Sequence, residues 1–350
     1  MRRKQKWAVL VALMALALVA SSCASEDDGS TEGGTIVAFI PTTTNTYIAE
    51  WGRGAQEAAA ELGYNLIIIE NNFDQAEQDT QVQQQLGAGD DDVVAYAWWP
   101  SDNEAGVASL RALSDTGVPV IQTNQLPFSG SENYVVGYAG VNDKLNGEVA
   151  ANLLIEARDY MVANGMELHG AGGNAIVIGF VAGYQAGIDR SGAALPILAR
   201  ASIAVLGEVD VGFGPAEGYD GTKQLIAAHR NTGIDLVYAH NSALAEGVIQ
   251  ALEEEGYHPG EDVMVVGGTC HGNLDHLLDG TEFATGLQAA RLEGVFSINT
   301  LHEYLTNGSL ELFNNFIPNP PVRSPVYTPG SNEIESVMVE GFGVADLCVY

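Results

Sequence analysis

Between residues 35 and 307 the chain alternates short, β-branched apolar runs with longer stretches whose apolar positions recur at helical spacing. That alternation predicts strands of a parallel sheet joined by helices. The run at 35–41 (TIVAFIP) is apolar throughout, as expected of a strand covered on both faces. Residues 47–62 follow with helical spacing, and Gly63 ends that helix. Further strands are predicted at 65–70, 93–99 and 118–123, with helices at 75–86 and 103–115 between them. A second series has strands at 175–181, 201–211, 235–240, 263–268 and 283–288, with helices at 221–230 and 243–255. Two comparable series predict two similar α/β domains. Beyond Gly308 the periodicity fades, and Pro318, Pro320, Pro321, Pro325 and Pro329 mark an irregular C-terminal segment.

Ahead of the first strand the pattern is different. Arg2, Arg3, Lys4 and Lys6 precede an uncharged apolar run over residues 7–20, then small residues and Cys23. A basic start, a short apolar run and small residues read as an export signal. The run is too short to span a bilayer, which takes about 20 residues. It resembles the lipobox of bacterial lipoproteins, implying removal of residues 1–22 and a lipid on Cys23. Ordinary secretion with Cys23 incidental is the competing reading. Residues 23–34 are polar, acidic and Gly-rich, a flexible tether. The expected location is extracytoplasmic, in the periplasm or on the outer surface, lipid-anchored to the cell membrane.

Composition narrows the partners. The 350-residue chain carries 14 Lys and Arg against 45 Asp and Glu; loss of residues 1–22 leaves ten basic residues and a formal net charge of −35. Such a surface repels nucleic acid and anionic lipid headgroups, so nucleic-acid binding is excluded. With Cys23 assigned to lipid, Cys270 and Cys348 remain. An even pair in an exported chain permits a disulfide, two separate buried thiols being the alternative.

Catalytic signatures are missing. The sequence contains no GxSxG elbow, HExxH pair or P-loop, so no enzymatic reading has residues to stand on. Cys270, His271 and His276 lack a recognised zinc spacing. The glycines of 212–218 are misplaced for a dinucleotide loop, and Pro215 fits a helix start instead. Neither metal nor cofactor is expected. Ser101 and Asp102 read as a helix cap rather than ligand contacts.

Six segments in order carry a family likeness: TIVAFIPTTTNTYIAEWGRGAQEAAAELGYNLII, WPSDNEA, VPVIQTN, YAHNSALAEGVIQALEEEGY, VMVVGG and FATGLQ. With these the chain resembles the type 1 periplasmic-binding-protein superfamily, and within it the ribose- and galactose-type sugar-binding proteins of ABC importers. The resemblance implies two Rossmann-like domains, each a parallel sheet flanked by helices, joined by a three-segment hinge. It places the first lobe at 35–125 plus about 289–315, and the second at about 126–288 plus 316–350. In the family the chain's end returns to the second lobe, which brings Cys348 into range of Cys270.

Ligands of open α/β sheets bind beyond the carboxyl ends of the strands. The resemblance puts ligand positions there on Asn45, Tyr47 and Ile48, on Trp99, and on Asn124 and Gln125. In the second domain they fall on Arg190, Phe213, Asn241, Thr269 and Gln288, with His271 just past a strand end. Amides, hydroxyls and aromatic faces suit a neutral sugar or polyol. Two carboxylates usual in the family fall instead on Asn124 and Thr269. For Trp99 simple packing competes with ligand stacking, and for Arg190 a surface salt bridge competes with ligand contact. The implied function is solute binding and delivery to the transmembrane subunits of an ABC permease, as a monomer. A ligand-sensing receptor module of the same fold is the alternative.

Overall fold

The computed structural model describes residues 33–89 and 91–348. The expected signal peptide, most of the expected tether and Cys23 lie outside the described residues. The first lobe begins with β1 (Thr35–Ile40), α1 (Thr46–Glu61), β2 (Asn65–Glu70), α2 (Gln75–Ala88), β3 (Val93–Trp98), α3 (Val107–Ser114), β4 (Val120–Thr123) and β5 (Gly137–Gly140). The chain then crosses over and builds α4 (Asp143–Ala163), β6 (Asn174–Gly179), α5 (Gln185–Arg200), β7 (Ala204–Asp210) and α6 (Pro215–His229). That lobe continues through β8 (Leu236–Ala239), α7 (Ser242–Glu254), β9 (Met264–Gly267), α8 (Leu274–Asp279) and β10 (Ala284–Gly286). A second crossing leads to α9 (Ala290–Asn307) and β11 (Asn314–Phe316), and a third to β12 (Pro321–Arg323).

Two six-stranded sheets result, ordered β11-β5-β4-β3-β1-β2 and β12-β10-β9-β8-β6-β7. Every pairing in the first is parallel, and only β12 runs antiparallel in the second. This is the doubly wound architecture that alternating strand and helix patterns produce. Central strands such as β1 and β6 are buried at every position, while β2 and β7 at the edges are not.

Two expectations are corrected. The first lobe does not end at residue 125: β5 pairs with β4, so the first crossing lies at residues 141–142. A four-residue strand reading Gly-Tyr-Ala-Gly offers too little apolar pattern to be seen. The third crossing falls after β11, at 317–320. Nor is the tail irregular throughout. It forms α10 (Glu333–Ser336), a hairpin of β13 (Met338–Val339) and β14 (Phe342–Gly343), and α11 (Val344–Leu347). Ile334, Val339, Val344 and Leu347 are buried in one cluster with Val141, Leu287, Ala289 and Ile317 from the crossing segments.

Cys348, at the end of α11, is bonded to Cys270, with Cα atoms 5.1 Å apart. The cross-link closes a loop of 78 residues, so it removes much freedom from the unfolded chain. Cys348→Ser should therefore lower stability by about 2–4 kcal/mol. Urea unfolding should show this as an earlier midpoint, and an unmoved midpoint would leave the tail held by packing alone.

Candidate functional site

The carboxyl ends of both sheets face one another across a cavity of about 310 Å³. From the first lobe the loop after β1 and the start of α1 contribute Thr44, Asn45, Thr46, Tyr47 and Ile48. Phe73 follows β2, Trp99 follows β3 and Asn124 follows β4. The second lobe supplies Phe180 and Tyr184 after β6, Arg190 from α5, Phe213 after β7, Asn241 after β8, and Thr269 and His271 after β9. Gln288 comes from the second crossing.

Six aromatic rings dominate the walls. Trp99 meets Tyr47 and Trp51 edge-on, with centroids 6.2 and 6.0 Å away. Its indole N–H points at the Tyr184 hydroxyl, 3.4 Å off. Trp99 is only 2% exposed and sits in the first lobe's core cluster, so it packs and lines the cavity at once. Its neighbour Trp98 points to the opposite face, into a separate cluster, as strand alternation requires.

Arg190 is buried, not a surface residue. Its Nε donates to Asp143 Oδ1 at 2.8 Å, and an Nη to Gln288 Oε1 at 2.8 Å. The other Nη donates to the His240 carbonyl, and the guanidinium lies 4.8 Å from the Phe180 ring centre. Burial and the nearby Arg190 push His240 down to about 3, so its ring is neutral. Phe180 N–H donates to His240 Nδ1 at 3.2 Å, which leaves Nε2 protonated toward Ser191 Oγ at 2.9 Å.

Glu293, in the first turn of α9, is fully buried behind the opposite wall. It accepts from the Tyr47 hydroxyl at 2.8 Å, from Asn124 Nδ2 at 3.3 Å and from Thr123 Oγ1 at 3.3 Å. Burial raises its pKa to about 7 against the opposing pull of these donors. The same burial, with Glu293 alongside, raises Tyr47 well above its ordinary value.

This arrangement fits one chemistry: enclosure of a small molecule with apolar faces and polar edges. Residues 36–309 match the periplasmic binding protein domain. The chain belongs to the periplasmic binding protein family. A ribose import binding protein of Escherichia coli (strain K12) is 26% identical over 263 residues, covering 75% of this chain and 79% of its own. The crystal structure of a galactofuranose binding protein superposes with a TM-score of 0.73 at 19% identity, covering 84% of this chain and 96% of its own. A solute binding protein of an ABC transporter from Bacillus halodurans C-125, with bound myo-inositol, gives 0.72 at 21% identity, covering 86% and 98%. Such low identities establish the shared type 1 fold of this binding protein and no more.

Eleven of the twelve residues expected to meet ligand line the cavity. Gln125 does not. Asn124 adopts φ 64° and turns the chain, so Gln125 runs back beneath the loop and donates to the Pro100 carbonyl at 2.8 Å. Several lining side chains are already committed. Asn45 caps α1, and Asn241 caps α7 while donating to the Phe213 carbonyl at 3.0 Å. His271 sets Nε2 2.9 Å from the Gln288 carbonyl and packs against Tyr47, ring centres 5.0 Å apart. Cys270 is taken by its disulfide and His276 by Thr281, so these residues assemble no metal site among the described residues. Asp102 caps the turn at 104–105, with Gly106 leading into α3.

Phe73, Phe180 and Tyr184 went unrecognised, although the strand-end rule applied to β2 and β6 points to them. Asp143 and Glu293 gave no such signal. They sit on helices just after crossings, and only the assembled fold brings them behind the cleft.

Glu293 makes a pH-dependent contribution whose sign is set by its raised pKa. The fold favours its protonated form between the ordinary 4.5 and about 7. Its destabilising effect is therefore absent below that window, grows through it and is complete above it. The melting temperature of Glu293→Gln relative to the unaltered protein should rise as pH goes from about 5 to about 8. Parallel curves over that range would show that Glu293 ionises as an ordinary carboxylate.

Proposed function

We propose that the protein is the extracytoplasmic solute-binding component of an ABC importer. It encloses one small neutral sugar or polyol between its lobes, as a monomer, and delivers it to the transmembrane subunits of the permease. The observation that carries this reading is the pairing of Arg190 with Asp143 inside an aromatic-walled cleft. The one lining cation already has its counter-charge, so an anionic ligand would find no free partner there. Aromatic faces cover the apolar side of a sugar ring, while Asn124, Thr269 and Gln288 supply donors and acceptors at its edge. The relatives with ribose, galactofuranose and myo-inositol in their names support the same ligand class.

Lipid attachment at Cys23 belongs to the same proposal, and rests on the basic start, the short apolar run over residues 7–20 and the small residues ahead of Cys23. Fractionation of expressing cells tests it: Cys23→Ser should move the protein out of the membrane fraction. Retention there would point to another anchor.

A thermal-shift screen of neutral monosaccharides, polyols and sugar acids tests the ligand class. A ligand that binds only the folded state raises the melting temperature in step with RT ln(1 + [L]/Kd). Neutral compounds should shift it and glucuronate should not. Binding of glucuronate with every neutral compound inert would overturn the assignment.

A further inference from the structure

Phe73 holds a backbone conformation that needs a reason. Its φ is 60°, and that of Asn72 before it is 52°. Bulky side chains enter this left-handed region only where their surroundings fix them there, and such outliers concentrate at functional sites. What meets Phe73 is a ring of the other lobe. Phe213 stacks on it with centroids 4.9 Å apart and planes 16° from parallel.

Both rings line the cavity and both remain partly exposed at its edge. Phe213 is backed by Phe180 and Tyr184, 5.1 and 5.0 Å away. Phe73 is backed by the first lobe's core cluster. The stack thus joins the two lobes at the mouth, whereas the Arg190 and Glu293 networks lie deeper. β2, which leads into Phe73, is the edge strand furthest from the crossing segments around β5 and β11. Opening the lobes about those segments must part these rings.

We infer that Phe73 is the gate of the cleft. Its ring closes the mouth by stacking on Phe213, slows release, and restricts the site to ligands of a single ring. A second sugar unit would have to pass where the two phenyl rings meet. This rests on the sugar-binding reading above and adds a size limit to it.

Stopped-flow tryptophan fluorescence and calorimetry on the full mature chain test the gate. The probes are D-ribose, L-arabinose, D-galactose and myo-inositol, with sucrose, lactose and maltose as two-ring compounds. Phe73→Gly removes the ring while suiting the left-handed backbone. It should release the tightest one-ring probe about three- to tenfold faster, the size of one aromatic pair, and should gain binding of a disaccharide. Phe73→Tyr should retain slow release and exclusion of disaccharides. Unchanged release in Phe73→Gly, or disaccharide binding by the unaltered protein as tight as that of any one-ring probe, would overturn the gate. Failure of the unaltered protein to bind any probe would overturn the sugar-binding reading and the gate with it.

Discussion

A single buried guanidinium organises the second lobe's side of the cleft. Arg190 is 3% exposed, and an uncompensated charge at such a depth would be strongly destabilising. The fold answers it with Asp143 from α4, Gln288 from the second crossing and the carbonyl at the end of β8. Three segments from separate parts of the chain are thus obliged to meet at one point. Removing one partner of such a pair costs far more than the pair contributes net, because the survivor is left charged and dry. The network therefore acts mainly as a constraint on geometry: α4, α5 and the hinge segment hold one relative position, and the cleft wall follows from it.

Asp143 reaches Arg190 because two helices approach closely. A Cβ on Gly147, one turn along α4, would lie 2.2 Å from the Arg190 carbonyl oxygen, so only glycine permits the contact. The first lobe uses the same device. A Cβ on Gly294 of α9 would lie 2.0 Å from the Trp51 carbonyl oxygen of α1. That crossing brings Glu293, the preceding residue, within reach of Tyr47. In each lobe a glycine at a helix crossing places a buried carboxylate behind the binding surface. One carboxylate balances a cation, and the other anchors a tyrosine and an asparagine.

The difference between what was legible in the sequence and what was not follows from this. Strands such as β1 and β6 carry their burial in continuous apolar runs, and helices such as α1 and α7 in their spacing and caps. β5 carries almost nothing, since two of its four residues are glycine and its burial comes from neighbours on either side. Among site residues, strand ends are readable because the topology directs every one of them to the same edge. Residues that support the site are not. Asp143 and Glu293 look like ordinary acids near helix starts in a chain that carries 45 acids. Their burial is a property of the helix crossings, and no local pattern encodes it. Gln125 shows the converse: the resemblance places it at the cleft, and after the left-handed Asn124 its side chain turns to the Pro100 carbonyl instead.

The tail and its disulfide belong to the same construction. Thr269 and His271 line the cleft, while Cys270 between them points away and bonds Cys348. Gln288 likewise faces the cleft, while Leu287 and Ala289 on either side are buried in the apolar cluster that holds the tail. Two segments of cleft wall therefore have one face toward the ligand and the other toward the C-terminal segment. Val141 and Ile317 extend that cluster to the remaining crossings. Any movement that opened the lobes by exposing it would cost about 25 cal/mol for each Å² of apolar surface uncovered. Separating the opposite rim with the cluster closed would cost less, because the contacts across the cleft there are aromatic edges and faces rather than a continuous core. The C-terminal segment thus ties all three crossings into one apolar cluster on the side of the cleft away from the Phe73–Phe213 stack.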